Sequence, residues 1–184
     1  MKANGSAPTV SLEYSTDGNT WSPFVVGTTT VTLANIGDKM YVRATSEGNI
    51  RIGSSMSDYN KFVMTGKIAA SGNVNTLLEQ NGNATLTNYC YSYLFGGCES
   101  LTTAPTLPAT TLADSCYSSM FQDCSNLNTI TLGYTGNFAN TPYRFFSNWV
   151  KGVASTGTFY YNGSDTTTGE SAIPEGWTIV RKYN

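Results

Sequence analysis

The side chains best equipped for chemistry in this 184-residue chain are its four cysteines, Cys90, Cys98, Cys116 and Cys124. All four fall in two copies of one phrase, CYSYLFGGCESL at 90–101 and CYSSMFQDCSNL at 116–127. Thiolates hold soft metals, attack electrophiles or join as disulfides. Zinc needs four converging ligands, usually as C-x₂₋₄-C pairs, whereas each pair here is spaced by eight. If the copies stack at a strand spacing of ~4.8 Å, Cys90 lies beside Cys116 and Cys98 beside Cys124. Bridges are then conceivable, because joined Cα atoms sit ~4.4–6.8 Å apart. A ladder of small buried hydrophobes is the plainer reading and the preferred one; bridges rank below it and zinc last.

The rest of the catalytic repertoire is thin. Histidine is absent, which removes the commonest general base and the commonest zinc ligand. Glu99, Asp114 and Asp123 are the acids inside the copies, and nothing in their spacing pairs two of them across one bond as a glycosidase requires. Asp114 reads as a helix cap. The expectation is a protein that is not an enzyme, with no catalytic residue, no metal and no cofactor.

Binding groups are better represented. Tyr91, Tyr93, Tyr117 and Trp149 are candidate ligand-binding rings, since aromatic side chains give large contact area at low entropic cost. Their plainer role is packing between copies. Thr103 and Thr129, with Thr102 and Thr131 beside them, make a candidate hydroxyl ladder for a glycan. Their plainer role is to keep a sheet solvated.

These residues need a scaffold that repeats. Leu86, Cys90, Phe95, Cys98 and Leu101 return 26 residues later as Leu112, Cys116, Phe121, Cys124 and Leu127. A worn third copy is read at TPYRFFSNWVKGV, with Pro142 and Tyr143 matching Cys116 and Tyr117, and Val150 and Val153 matching Cys124 and Leu127. Within one copy, Leu112, Cys116, Met120 and Phe121 suit one face of a short helix. Leu127 to Leu132 then alternate as a strand.

Upstream, Val10, Leu12 and Tyr14 alternate with polar residues, and Asp17-Gly18 is a hairpin signal. VTL at 31–33, KMYVRAT at 39–45 and NIRIG at 49–53 read as further strands. Val74, Leu77 and Leu78 suggest one helical turn. Trp21 and Trp177 read as core anchors. The expected architecture is therefore α+β: a small all-β sandwich-like region at 1–70, a short solenoid of 26-residue repeats at 71–160, and a C-terminal β cap at 161–184.

Only 12% of residues are charged, about half the usual ~25%. A net charge of −2 gives no footprint for nucleic acid. No apolar run reaches the ~20 residues of a membrane span, and MKANGSAPTV lacks a signal-peptide pattern.

Phe-x-x-Cys-x-x-Leu followed by a short strand resembles the BspA-like leucine-rich repeat, and 26 residues lies within that repeat's range of ~20–29. CYSxMF, CxxL and APTLPATTLA at 104–113 are similar to a set of such proteins from gut anaerobes and their prophages. So are the ending NWVKGVASTGTFYYN with IPEGWTIV and the opening EYSTDGNTW. The resemblance implies a leucine-rich-repeat solenoid in a non-catalytic adhesion or surface-recognition module. Its partner would be a host or bacterial surface glycan or protein, and its place extracellular, on a cell surface or a virion. The alternative is an assembly piece of a phage tail fibre or surface layer, self-associating as a homo-oligomer.

Overall fold

The alternation that opens the chain does form a strand, and the hairpin signal after it does turn the chain back. In a computed structural model that describes residues 1–138 and 144–181, β2 (Leu12–Ser15) pairs antiparallel with β3 (Ser22–Phe24) and with β4 (Tyr41–Ala44). A two-stranded antiparallel sheet joins β1 (Lys2–Asn4) to β5 (Tyr59–Lys61). The segments at 31–33 and 49–53 form no strand of their own; Gly53 makes a single bridge to Tyr59.

The remaining strands are β6 (Ile68–Ala69), β7 (Leu101–Leu107), β8 (Thr129–Leu132), β9 (Thr158–Tyr161) and β10 (Thr178–Val180). They form one parallel sheet in chain order. Parallel neighbours need long crossovers, and the phrase containing the cysteines supplies two of them.

Those crossovers overturn the expected fold class. Among the described residues, the helical content is one 3-10 helix at Val74–Leu77, where a helical turn was expected. The molecule is nearly all-β, and the α+β leucine-rich-repeat solenoid is corrected on that finding. An α-helix requires unbroken right-handed φ and bonds to the fourth residue back. Here every fourth residue is left-handed: Tyr89, Tyr93 and Gly97 in one copy, and Ser115, Ser119 and Asp123 in the next. Cys90, Ser92, Leu94, Gly96 and Cys98 each donate their N–H three residues back. The alternate residues Tyr89, Tyr91, Tyr93, Phe95 and Gly97 donate outward instead, to Asp114, Cys116, Ser118, Met120 and Gln122 carbonyls at 2.7–3.1 Å. Each crossover is thus a ribbon of linked turns, bonded to its neighbour by a second main-chain ladder. Asp114 caps no helix.

Tyr117, Ser119, Phe121 and Asp123 repeat the pattern onto Phe145, Ser147, Trp149 and Lys151. The third copy is displaced, however. Thr103 pairs with Thr129, 26 residues on, but Thr129 pairs with Thr158, 29 on. Val150 consequently lies level with Phe121 rather than Cys124, and Val153 takes the place of Cys124. Pro142 and Tyr143 lie outside the described residues.

Side chains at repeated positions form columns through one apolar core that runs from Leu12 and Phe24 to Trp177. Phe62, Phe95 and Phe121 stack in sequence at centroid distances of 5.3 and 5.6 Å, with Trp149 next at 6.1 Å. Tyr91, Tyr117 and Phe146 form a second column at 6.0 and 5.8 Å. Such ring pairs contribute about 0.5–1.5 kcal/mol each beyond the area they bury. Trp177 is buried, with its indole N–H on the Ala154 carbonyl at 2.7 Å. Trp21 is only partly buried and lies under the Arg43 guanidinium at 3.6 Å.

Candidate ligand-binding face

The four thiols are free and buried. Cys98 Sγ points to the Phe62 carbonyl at 3.1 Å, and Cys124 Sγ to the Phe95 carbonyl at 3.0 Å, the same contact one copy later. Cys90 Sγ lies 4.0 Å from the Cys116 carbonyl. Burial pushes the Cys98 thiol up to about 11 and the Cys116 and Cys124 thiols up to about 12. Burial also raises Cys90 well above its ordinary value. Near neutral pH these groups stay protonated, and a protonated, enclosed thiol is a poor nucleophile. Among the described residues, no three Cys, Asp or Glu side chains gather as a metal cluster would.

Three of the four candidate rings are placed in the core. Tyr91, Tyr117 and Trp149 are each 0% exposed, so none offers a face to a ligand, and their assignment as binding residues is corrected. The repeat period that made them conspicuous is the reason they stack. Tyr91 donates its hydroxyl to Asn75 Oδ1 at 3.0 Å, and Trp149 donates its indole N–H to the Ala172 carbonyl at 2.7 Å. Tyr93 is half-buried and stacks on Tyr59 at 4.5 Å.

The threonines are differently placed. In β8 and β9, Ile130, Leu132, Phe159 and Tyr161 point into the core. Side chains alternate along a strand, so Thr129, Thr131, Thr158 and Tyr160 take the outer side. The register aligns Thr103, Thr129, Thr158 and Thr178 in one row across four strands. Thr106, Thr131, Tyr160 and Val180 make a second row.

A register shift in β7 between Thr103 and Thr106 brings Thr106 level with Thr131. Thr102, one residue before the register position of Thr103, belongs to neither row, and its hydroxyl donates to the Ile68 carbonyl at 3.1 Å. Thr129 Oγ1 donates to Asn128 Oδ1 at 3.1 Å. Among the described residues, the Thr103, Thr106, Thr131, Thr158 and Thr178 hydroxyls take no protein partner.

None of the five strands contains a charged residue. Arg181, just past β10, bonds the Gly163 carbonyl and lies over the Tyr161 ring. The aspartates with lowered pKa are turn anchors elsewhere. Asp17 accepts from the Thr20 and Asn19 amides and the Ser15 hydroxyl, which hold its carboxyl low. Burial alone would raise Asp165, but bonds from Thr167 and Phe138 outweigh it and lower the carboxyl.

Thr106, Thr158, Tyr160 and Thr178 were not picked out from the sequence. The signal for Thr158, Tyr160 and Thr178 lies in the strand openings TFY and TIV, but it appears only when β9 is offset by 29 from β8 and β10 is paired with β9. The chemistry the face offers is neutral hydrogen bonding beside threonine methyl groups. No helix among the described residues is long and apolar enough to cross a membrane. No family model, no curated protein and no solved structure matches this chain.

Proposed function

We propose that this chain is a non-catalytic recognition module, displayed outside the cell or on a virion, that binds a surface glycan or protein through the outer threonine rows of β7–β10. The observation that carries the reading is the alignment of Thr103, Thr129, Thr158 and Thr178 on one uncharged face. Threonine hydroxyls both donate and accept, so a partner that is itself neutral and rich in hydroxyls is matched without ion pairing. The resemblance of the cysteine phrase to BspA-like adhesion proteins supports the same reading. So do the absence of histidine and the enclosure of every thiol.

The test is binding of the folded chain to arrays of neutral and acidic glycans and to whole bacterial and host cells. Thr129→Val with Thr158→Val removes two central hydroxyls and keeps the β-branched shape. Two lost hydrogen bonds at about 0.5–1.5 kcal/mol each predict a loss of about five- to 150-fold in affinity at an unchanged melting temperature. Full binding by that variant would contradict the reading, as would a blank against every glycan and cell.

A second reading, assembly into a fibre or layer, is favoured by the outer edges of β6 and β10, which pair with no strand among the described residues. It predicts concentration-dependent association by light scattering, with no soluble ligand.

A further inference from the structure

We infer that the face takes an extended, uncharged, β-linked glycan lying across the strands, with one sugar ring over each threonine-bearing strand. This deepens the recognition reading and rests on it. The row Thr103, Thr129, Thr158, Thr178 crosses four parallel strands in register. Its pitch is the strand spacing of about 4.8 Å, so it spans roughly 14 Å. An extended β-linked glycan advances one ring over a distance close to one strand spacing. A linear chain laid along the row therefore presents its hydroxyls at the repeat of the threonine hydroxyls.

The second row stands about 7 Å away, two residues further along β8, β9 and β10 and three along β7, where the register shifts. Together the rows form a strip about one sugar ring wide. Branched glycans overhang a strip of that width.

Charge and stiffness narrow the class further. With no Lys, Arg, Asp or Glu in any of the five strands, an acidic or amino sugar loses water and gains no counter-charge. Threonine is restricted at χ1, so the hydroxyls are held in few orientations before the ligand arrives. That preorganisation reduces the entropy lost on binding. The γ-methyls beside the hydroxyls suit the C–H faces of sugar rings. In the second row the side chain changes from hydroxyl (Thr106, Thr131) to aromatic (Tyr160) to aliphatic (Val180), so the two ends of the strip differ and a bound chain has a preferred direction.

The experiment is calorimetric titration of the full chain with linear cello-oligosaccharides and fully N-acetylated chito-oligosaccharides, both uncharged, of graded length from disaccharide to hexasaccharide. Affinity is expected to climb with each added ring up to the tetrasaccharide and then level off. Thr103→Val, Thr129→Val, Thr158→Val and Thr178→Val are each expected to weaken the tetrasaccharide severalfold and the disaccharide less. Circular dichroism and the melting temperature report whether each variant is folded. A flat dependence on length overturns the inference, as does tetrasaccharide binding untouched by all four variants. Binding of branched glycans, acidic glycans or a protein, with none of the linear series, overturns this inference and leaves the recognition reading in place. Failure to bind any glycan, cell or protein removes both.

Discussion

The antiparallel sheet of β2, β3 and β4 and the parallel sheet of β6 to β10 are built from similar residues and hold together differently. The first is secured by polar contacts at half-exposed positions. Arg43 Nε meets Glu13 Oε1 at 2.6 Å across β2 and β4, Gln80 reaches the same carboxylate, and Asp17 ties the hairpin loop. Large apolar side chains such as Val25, Ile36 and Ile50 remain exposed there. The second is secured by repetition. Each copy offers its neighbour the same ring and the same row of carbonyls, so Tyr91, Tyr117, Phe121 and Trp149 close almost completely. Stacking copies of one phrase buries more, residue for residue, than a single hairpin can. It also leaves the outer face of the sheet regular enough to act as a template.

Emptying a column of the parallel-sheet region does the most damage. Phe121→Ala removes the ring between Phe95 and Trp149 and is expected to cost about 3–5 kcal/mol, read as a fall in the urea midpoint. Alkaline pH attacks the same region through the thiols. Their folded values lie above the unfolded value near 9, at about 11 for Cys98 and about 12 for Cys116 and Cys124. The folded state therefore keeps protons that the unfolded chain has lost. That stability is complete below about pH 9 and disappears as pH rises through about 11 to 12. Urea midpoints against pH should show the fall, and Cys116→Ala with Cys124→Ala should make it shallower, with Cys98 and Cys90 supplying what remains.

Gly157→Ala comes next. An added Cβ would stand 2.4 Å from the Asn128 carbonyl and 2.8 Å from the Trp177 ring. Overpacking of that kind costs about 1–3 kcal/mol, and thermal melting would register it. Smaller still is the contrast within the tyrosine column. Tyr91→Phe discards a buried hydrogen bond and should cost about 1 kcal/mol. Tyr117→Phe should cost nothing or stabilise, because the Tyr117 hydroxyl is buried without a partner among the described residues. Arg43→Ala, in the antiparallel sheet, should lower stability by about 0.5 kcal/mol, the scale of a partly exposed ion pair. A larger loss there than for Phe121→Ala would reverse the comparison.

The sequence was readable where local chemistry decides the outcome. The alternation around Leu12, the Asp17-Gly18 turn and the strand at Thr129–Leu132 all form where their residue patterns place them. The crossovers were misread because a spacing of four passes for helical over two turns. Cys90, Leu94 and Cys98 are spaced by four twice, and so are Cys116, Met120 and Cys124. On an α-helix each such step drifts by about 40°, so a strict period of four leaves a single face. The left-handed residue at every fourth position absorbs that drift, and its stabilising partner is another copy, which no local window contains. The threonine rows were half visible for a related reason. Thr103 and Thr129 share the 26-residue period, whereas Thr158 and Thr178 are brought level by an offset of 29 and by the pairing of β9 with β10.

The most direct test of the central claim is a hydrogen-exchange footprint of the chain with and without the tightest-binding glycan from the array. Added protection is expected to concentrate at 103–106, 129–131, 158–160 and 178–180. Protection centred on the Tyr59 and Tyr93 pair, or on the loops around Trp21 and Arg43, would contradict it.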